Sequence, residues 1–305
     1  MKVYNWDELP EVWGVIALGS FDGVHLGHQK LLSFAKARGS LTVVTFTPHP
    51  RLFLGLEREN FLLTLDEEKE ELLLRYGAQR VIFIDFNKEF SGFTPSEFVK
   101  EVITNRLKPH RIVVGFDYHF GKNSTGHASD LKALCKNYGI DVHIFPEVIR
   151  NRKPVKSTLI RNLLKEGKVE KAMEYLGRPY RFSGDVVKGK GLGSKIGFPT
   201  VNLKVNPLKV LPGNGVYGVQ VMVRGGIYPG MLYIGDRPTI GEKDTSIEAH
   251  IIGFDGMIYG EKLCVEVFHK IREQVKFESM NELRKRLGVD RETVLKKMKE
   301  VKDGA

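Results

Sequence analysis

Cysteine is nearly absent: Cys135 and Cys264 are the two in 305 residues, and no CxxC pair occurs. A disulfide framework and a thiolate zinc site are therefore not indicated, and both cysteines are expected to act as buried small hydrophobes. No apolar run approaches the roughly 18 residues needed to cross a bilayer. The opening MKVYNWDELPEVWG lacks the basic end and apolar stretch of a secretion signal. A cytoplasmic protein without a membrane partner is expected. Low-complexity tracts and internal repeats are also missing, which argues against a disordered chain or a solenoid.

What is present is an ordinary globular composition, 42% hydrophobic and 28% charged, long enough for two domains with a core in each. Acidic residues are outnumbered 37 to 47 by lysine and arginine, leaving a formal charge of +10. That excess favours polyanionic partners, either nucleic acid or phosphorylated small molecules. It is spread through KEGKVEK, VRGGIYPG and RKRLGVDRETVLKKMKEVK rather than massed in one block, as on a solvated, ion-paired surface.

To about residue 150, short apolar runs alternate with helical patterns: VWGVIAL then QKLLSFAKAR, LTVVTF then DEEKEELLLRYG, RVIFID then SEFVKEVITNRL, RIVVG then SDLKALCKNYG, then DVHIF. This rhythm predicts a parallel sheet covered by helices on both faces, with ligands bound beyond the carboxyl ends of its strands. Thr64 with Glu67, and Thr94 with Pro95 and Glu97, read as helix starts. Gly77 and Gly139 read as helix stops. The stretch 158–176, interrupted at Gly167 and closed by Gly177 and Pro179, predicts a helical connection.

Past Phe182 the pattern changes to period-two alternation, with Val219, Val221, Val223; Ile247, Ala249, Ile251; and Leu263, Val265, Val267 on one face. Asp255-Gly256 reads as a hairpin turn between the last two runs. Ser279 with Glu282 opens a terminal helix. A small antiparallel β-barrel with a C-terminal helix fits best. The expected fold class is α/β plus β, with domains at 1–157 and 181–305 joined by a helical linker at 158–180.

LGSFDGVHLGHQKLL starts where the first strand run ends and passes through Gly19, Phe21 and Gly23 into a helical pattern carrying His25 and His28. Glycines let backbone approach a phosphate, a helix N-terminus offers N–H groups and partial positive charge, and two imidazoles add donors. Spacing of three puts both histidines on one helical face. A metal site with Asp22 or His49 is the other chemistry open to two such histidines. At the second helix start, Ser157 and Thr158 can hold an anion and Arg161 lies one turn on, although a plain cap and a surface charge would look the same.

GSFDGVHLGH resembles the signature of HxGH nucleotidylyltransferases, and TFTPHP at 45–50 makes the likeness specific to bacterial FAD synthetases, which join an FMN adenylyltransferase to a riboflavin kinase. VVGFDYHFGK at 113–122 and STLIR at 157–161 extend the resemblance over the first half. It implies a Rossmann-like first domain in which His25 and His28 stabilise the α-phosphate. It further implies that Arg161 meets the β- and γ-phosphates of ATP, and that Asp117 and Phe120 contact flavin or adenosine. For Phe120 a place in the core is an equal alternative. The sequence departs from the family pattern at Lys156, where a serine is expected, and at KNSTGH, which replaces a more arginine-rich loop.

In GDVVKGKGLGSKIGFPTVN, Lys188, Lys190 and Lys195 lie among glycines including Gly189, Gly191 and Gly197. Backbone donors and a few cations suit a triphosphate, and a flexible connector has the same composition. Thr200 and Asn202, two apart on an extended segment, face one way and carry hard oxygen donors. GFPTVN resembles the PTxN motif of riboflavin kinases, which implies that Thr200 and Asn202 hold Mg²⁺ with the ATP phosphates. LPGNGVYGV at 211–219, YIGDRPTIG at 233–241, IEAHI at 247–251 and FHKIREQVKF at 268–277 carry the likeness to the end. In IEAHI, alternation sets Glu248 and His250 opposite the apolar residues. The family position implies that Glu248 is the general base, where an isolated strand glutamate would simply be solvated.

The expected protein therefore phosphorylates riboflavin to FMN with ATP in its C-terminal domain. In its N-terminal domain it adenylylates FMN to FAD with release of pyrophosphate. Its partners would be riboflavin, FMN, ATP and Mg²⁺, with no nucleic acid. An RNA-binding barrel and a flavin-binding regulator without catalysis are the readings of other classes. No aromatic-rich RNA-binding strand or continuous basic stripe favours the first.

Overall fold

The computed structural model describes the chain except residues 190–192, 194, 195, 240, 241, 304 and 305, and describes no side chains at 236–244 and 300–305. It divides into two compact units, Met1–Ser157 and Thr158–Ala305.

The first unit is built on a six-stranded, wholly parallel sheet. Its strands are β1 Val3–Tyr4, β2 Val15–Leu18, β3 Leu41–Thr47, β4 Arg80–Asp85, β5 Arg111–Gly115 and β6 Asp141–Phe145, in the order β1-β4-β3-β2-β5-β6. Central strands of a parallel sheet are covered on both faces, so they read as continuous apolar runs: all four residues of β2 and the first six of β3 are buried. Four helices supply the cover: α1 Leu26–Lys36, α2 Asp66–Arg75, the π-wound α3 Phe98–Leu107, and α4 Ala128–Lys136. Val15, Ala17, Val43 and Phe83 pack on one face with Leu31, Leu32 and Ala35 of α1 and Leu72 and Leu73 of α2. Ile16, Leu18, Val44 and Ile84 pack on the other with Val102 and Ile103 of α3 and Leu131 of α4.

The chain moves outward from β2 through β3 and β4, then returns to β5 on the other side of β2. The strand order thus reverses between β2 and β5, and a doubly wound sheet opens its ligand crevice at such a point, past the carboxyl ends of the two strands.

Thr94, Pro95 and Glu97 form the predicted helix start, with the threonine hydroxyl on the Glu97 N–H and the carboxylate on the Thr94 N–H. Gly77 and Gly139 take the positive φ expected of helix stops. Thr64 does not cap α2. The helix begins one residue later, Glu68 closes its first turn by accepting from the Leu65 N–H, and the Thr64 hydroxyl is engaged elsewhere. Cys135 is buried as expected, whereas Cys264 is only half-buried.

The second unit opens with α5 Ser157–Lys165, whose first residue closes the first unit, and α6 Val169–Leu176. Gly167 lies between them and Gly177 ends α6, both at positive φ. Residues 158–180, expected as a helical linker, carry these helices and lead into the first barrel strand, and α6 lies against the barrel strands β7 Tyr180–Val187 and β12 Lys262–Arg272. The other strands are β8 Val201–Val205, β9 Gly215–Val223, β10 Gly226–Thr239 and β11 Glu242–Ile251. They close as β7-β8-β11-β10-β9-β12, antiparallel throughout.

The three predicted alternating sets all point into the barrel and are buried. Asp255-Gly256 is not a hairpin turn: it lies between β11 and β12, which are not neighbours. Among the described residues a tight turn is formed by Arg224-Gly225, both at positive φ, joining β9 to β10. Ser279 and Glu282 open the terminal helix α7 Met280–Asp303, which places Val294 and Met298 on Met231, Ile252 and Phe268 outside the barrel.

Candidate functional sites

The first candidate site is the turn from β2 into α1. Phe21 and Val24 are buried and stand at φ 49° and 38°, and Gly23 at 82°. Left-handed backbone at bulky residues is a local cost that surrounding contacts must hold in place. Those contacts come from Asp22, which is 2% exposed. Its carboxylate accepts from the Leu63 N–H at 2.9 Å and the Thr64 N–H at 3.0 Å, while the Thr64 hydroxyl accepts from the Gly23 N–H at 3.0 Å. A Cβ at Gly23 would stand 2.7 Å from Leu63. Asp22 is therefore the fastening of the loop. Among the described residues no three histidine, cysteine or acidic side chains converge as a metal site.

His25 is not helical. It is the N-cap of α1, at φ −74° and ψ 174°, and its Nδ1 accepts from the His28 N–H at 3.3 Å. The proton of a neutral His25 ring then sits on Nε2 as a hydrogen-bond donor. The two rings stack at 3.6 Å between centroids, and Phe21 meets His28 edge-on at 5.2 Å. Gly27 makes room for this stack, since a Cβ there would lie 3.1 Å from the His25 ring. At Gly19 a Cβ would lie 3.2 Å from the Phe21 ring. Ser157 donates its hydroxyl to the Asp22 carbonyl at 2.9 Å, tying the end of the unit to the same loop. His49 caps a short helix at Pro50–Phe53 with its Nδ1 on the Arg51 N–H.

Asp117 follows β5, on the other side of the crevice, and is exposed. Phe120 is buried in the core, 5.4 Å from the Phe98 ring and stacked on Tyr118. Thr158 and Arg161 lie in the second unit, where the guanidinium donates to the Thr158 hydroxyl at 3.4 Å. At the departure from the family pattern, Lys156 lies 5.1 Å above the Phe116 ring and 3.7 Å from Glu147.

The second candidate site lies on β8 and β11. Asn202 is directly opposite Glu248 in their antiparallel register. The Thr200 hydroxyl donates to Glu248 Oε2 at 3.2 Å, and the Ser246 hydroxyl donates to Oε1 at 2.9 Å. Both carboxylate oxygens are thus oriented, and a hydroxyl, a carboxamide and a carboxylate meet at one place. Ser246 was legible only as Glu248 minus two, the position that shares its strand face.

Glycines frame the group. A Cβ at Gly189 would fall 1.9 Å from the Asn202 amide nitrogen, and one at Gly193 would fall 2.3 Å from the Phe198 carbonyl and 3.2 Å from the Thr200 hydroxyl. Gly197 has φ 82° and open space around it. Gly191, Lys190 and Lys195 lie outside the described residues. His250, on the strand face opposite Ile247, Ala249 and Ile251 as expected, is nevertheless buried: Phe198 meets it at 5.5 Å and its Nδ1 is 2.8 Å from the Pro199 carbonyl. Burial holds this imidazole below its ordinary range.

The FAD synthetase family model matches residues 11–159, and the riboflavin kinase family model matches residues 176–298. A bifunctional riboflavin kinase/FMN adenylyltransferase of Bacillus subtilis (strain 168) is 35% identical over 297 residues, 92% of each chain. The chain belongs to this bifunctional family. The same description belongs to a Listeria monocytogenes relative, 36% identical over 284 residues, covering 91% of this chain and 90% of that one. A Streptococcus pneumoniae crystal structure described as a macrolide-efflux protein superposes with TM-score 0.87 at 31% identity, covering 96% of this chain and 98% of that chain. This member of the bifunctional family is thus a transferase with both activities, the adenylyltransferase part preceding the kinase part. No helix among its described residues is long and apolar enough to cross a membrane.

Proposed function

We propose that the 1–157 domain adenylylates FMN and the 181–305 domain phosphorylates riboflavin, with the two residue groups above as their working parts. The convergence of Thr200, Asn202 and Glu248 across β8 and β11 carries the kinase assignment.

In phosphorylation the riboflavin 5′-oxygen attacks the γ-phosphorus of ATP, the new O–P bond forms as the bond to the departing ADP oxygen breaks, and the hydroxyl proton leaves. Glu248 accepts that proton. Its Oε1 is fixed by Ser246, so the accepting lone pairs are aimed before substrate arrives. Thr200 and Asn202 offer the hard oxygen donors that suit Mg²⁺, in a cradle that a Cβ at Gly189 would fill. When bound there, the ion would neutralise charge on the ATP phosphates.

In adenylylation the FMN phosphate oxygen attacks the α-phosphorus of ATP and pyrophosphate leaves. The nucleophile is already ionised, so alignment and charge neutralisation are what this chain must supply. The stacked imidazoles of His25 and His28 and the N–H groups opening α1 face the α-phosphate, with Gly19, Phe21 and Gly23 shaping the loop around it. Ser157, tied to the Asp22 carbonyl in the same unit, serves the β- and γ-phosphates. Asp117 is assigned to the flavin or adenosine, and Phe120 supports that region from the core.

The test assays the half-reactions separately in the full-length chain. Glu248→Ala should abolish FMN formation from riboflavin and leave FAD formation from supplied FMN. His28→Ala should do the reverse. Loss of both activities, or neither, in either variant would overturn the assignment.

A further inference from the structure

A second pair of histidines lies outside both groups, on the two-stranded ribbon formed by His119–Phe120 and Gly126–His127. His119 is directly opposite His127 in register, and their ring centroids are 4.7 Å apart. Both side chains are exposed, while Phe120 and Gly126, the neighbouring pair, point inward and are buried.

The ribbon is bolted to the body of the first unit. Lys122 donates its N–H to the Phe93 carbonyl at 2.6 Å. Gly121 at φ 74° leaves no room for a side chain, since a Cβ would stand 2.8 Å from the Pro95 nitrogen. A Cβ at Gly126 would stand 2.8 Å from the Phe120 ring. The two imidazoles are therefore presented from a fixed backbone.

The ring chemistry adds direction. His119 Nδ1 lies 2.9 Å from the Asp117 carbonyl oxygen. A carbonyl only accepts, so Nδ1 carries the proton and Nε2 keeps its lone pair. Donation of the second ring nitrogen to a backbone carbonyl is the arrangement that orients histidine toward a metal.

We infer that His119 and His127 form a two-imidazole site for a divalent transition ion of the zinc class. Imidazole nitrogen suits zinc, copper and nickel, whereas magnesium takes oxygen donors, so this site and the Thr200–Asn202 group select different ions. With two protein donors, water fills the remaining positions, and the ion exchanges readily rather than being buried for structure.

The test is calorimetric titration of Zn²⁺ into the chelator-stripped full-length chain without nucleotide. His119→Gln and His127→Gln should each lose one equivalent relative to the unaltered chain. His110→Gln, another exposed histidine, should keep it. Mg²⁺ at the same concentration should give no heat that depends on either ribbon histidine. Survival of the equivalent in either ribbon variant, or no zinc uptake by the unaltered chain, overturns the inference.

Discussion

The imidazole of His25 lies flat on that of His28, 14° between planes, although only His28 belongs to the helix. The arrangement depends on a residue that has no side chain. Gly27 is the first-turn neighbour whose missing side chain leaves the His25 ring its place.

Gly27→Ala should therefore separate stability from activity. Alanine is favoured over glycine within a helix by about 0.5–1 kcal/mol, so the first unit should unfold no earlier. A Cβ 3.1 Å from the ring requires the His25 imidazole to shift by a few tenths of an ångström. Misplacing catalytic donors by a fraction of an ångström to 1 Å can cost about 10²-fold, and FAD formation from FMN should fall by about ten- to a hundredfold. The kinase half-reaction, measured on the same sample, should be unchanged.

The kinase group has a sharper steric limit. At Gly189 a Cβ would overlap the Asn202 amide nitrogen at 1.9 Å, so the carboxamide must move. Gly189→Ala should push Asn202 out of line with Thr200, which the proposed magnesium role makes costly. We expect FMN formation to fall by at least about 10²-fold, on the scale of losing one stabilising donor. Raising Mg²⁺ should recover part of the rate, while FAD formation from supplied FMN stays intact. Steady-state rates across a magnesium series check this.

Much of this was legible in sequence for a physical reason. The doubly wound sheet announces itself through uninterrupted apolar strands, and the barrel through strict alternation such as Val219, Val221 and Val223. Local patterns failed where a distant partner competed. Thr64 with Glu67 has the spacing of a helix start, yet its hydroxyl serves Gly23, 41 residues away. Alternation places His250 opposite the apolar set, but the ring of Phe198 that meets it is not legible from that spacing. Asp255-Gly256 has turn chemistry, while the strands it separates pair with other neighbours. Spacing placed Thr200 and Asn202 on one side, but only the register of β8 with β11 sets them beside Glu248.

Asp22 is the clearest long-range residue. Its carboxylate satisfies the Leu63 and Thr64 N–H groups in a buried setting. Asp22→Ala leaves both donors unpaired at about 1–3 kcal/mol each, so the first unit should lose about 3 kcal/mol. Asp22→Asn, which keeps one acceptor oxygen, should lose less. Trp6 and Trp13 are the two tryptophans and both belong to this unit. Urea unfolding followed by their fluorescence therefore reports it selectively. An Ala variant as stable as the Asn variant would contradict the fastening role.

Acid should weaken the barrel through His250. Burial, and to a lesser degree the charge of Arg291, hold its imidazole below the ordinary value, against the opposing hydrogen bond to the Pro199 carbonyl. An unfolded chain takes up this proton near pH 6.5, before the folded chain does. Between the two values the unfolded state binds more protons, so stability rises with pH there. The contribution is complete above about pH 6.5 and is lost as pH falls toward the lower, folded value. His250→Gln removes the titration but keeps a polar side chain. Denaturant unfolding of both chains by circular dichroism from pH 7.5 to 5 should show the unaltered chain losing stability relative to the variant. A difference that stays constant across that range would mean that the proton enters the folded barrel as easily as the unfolded chain.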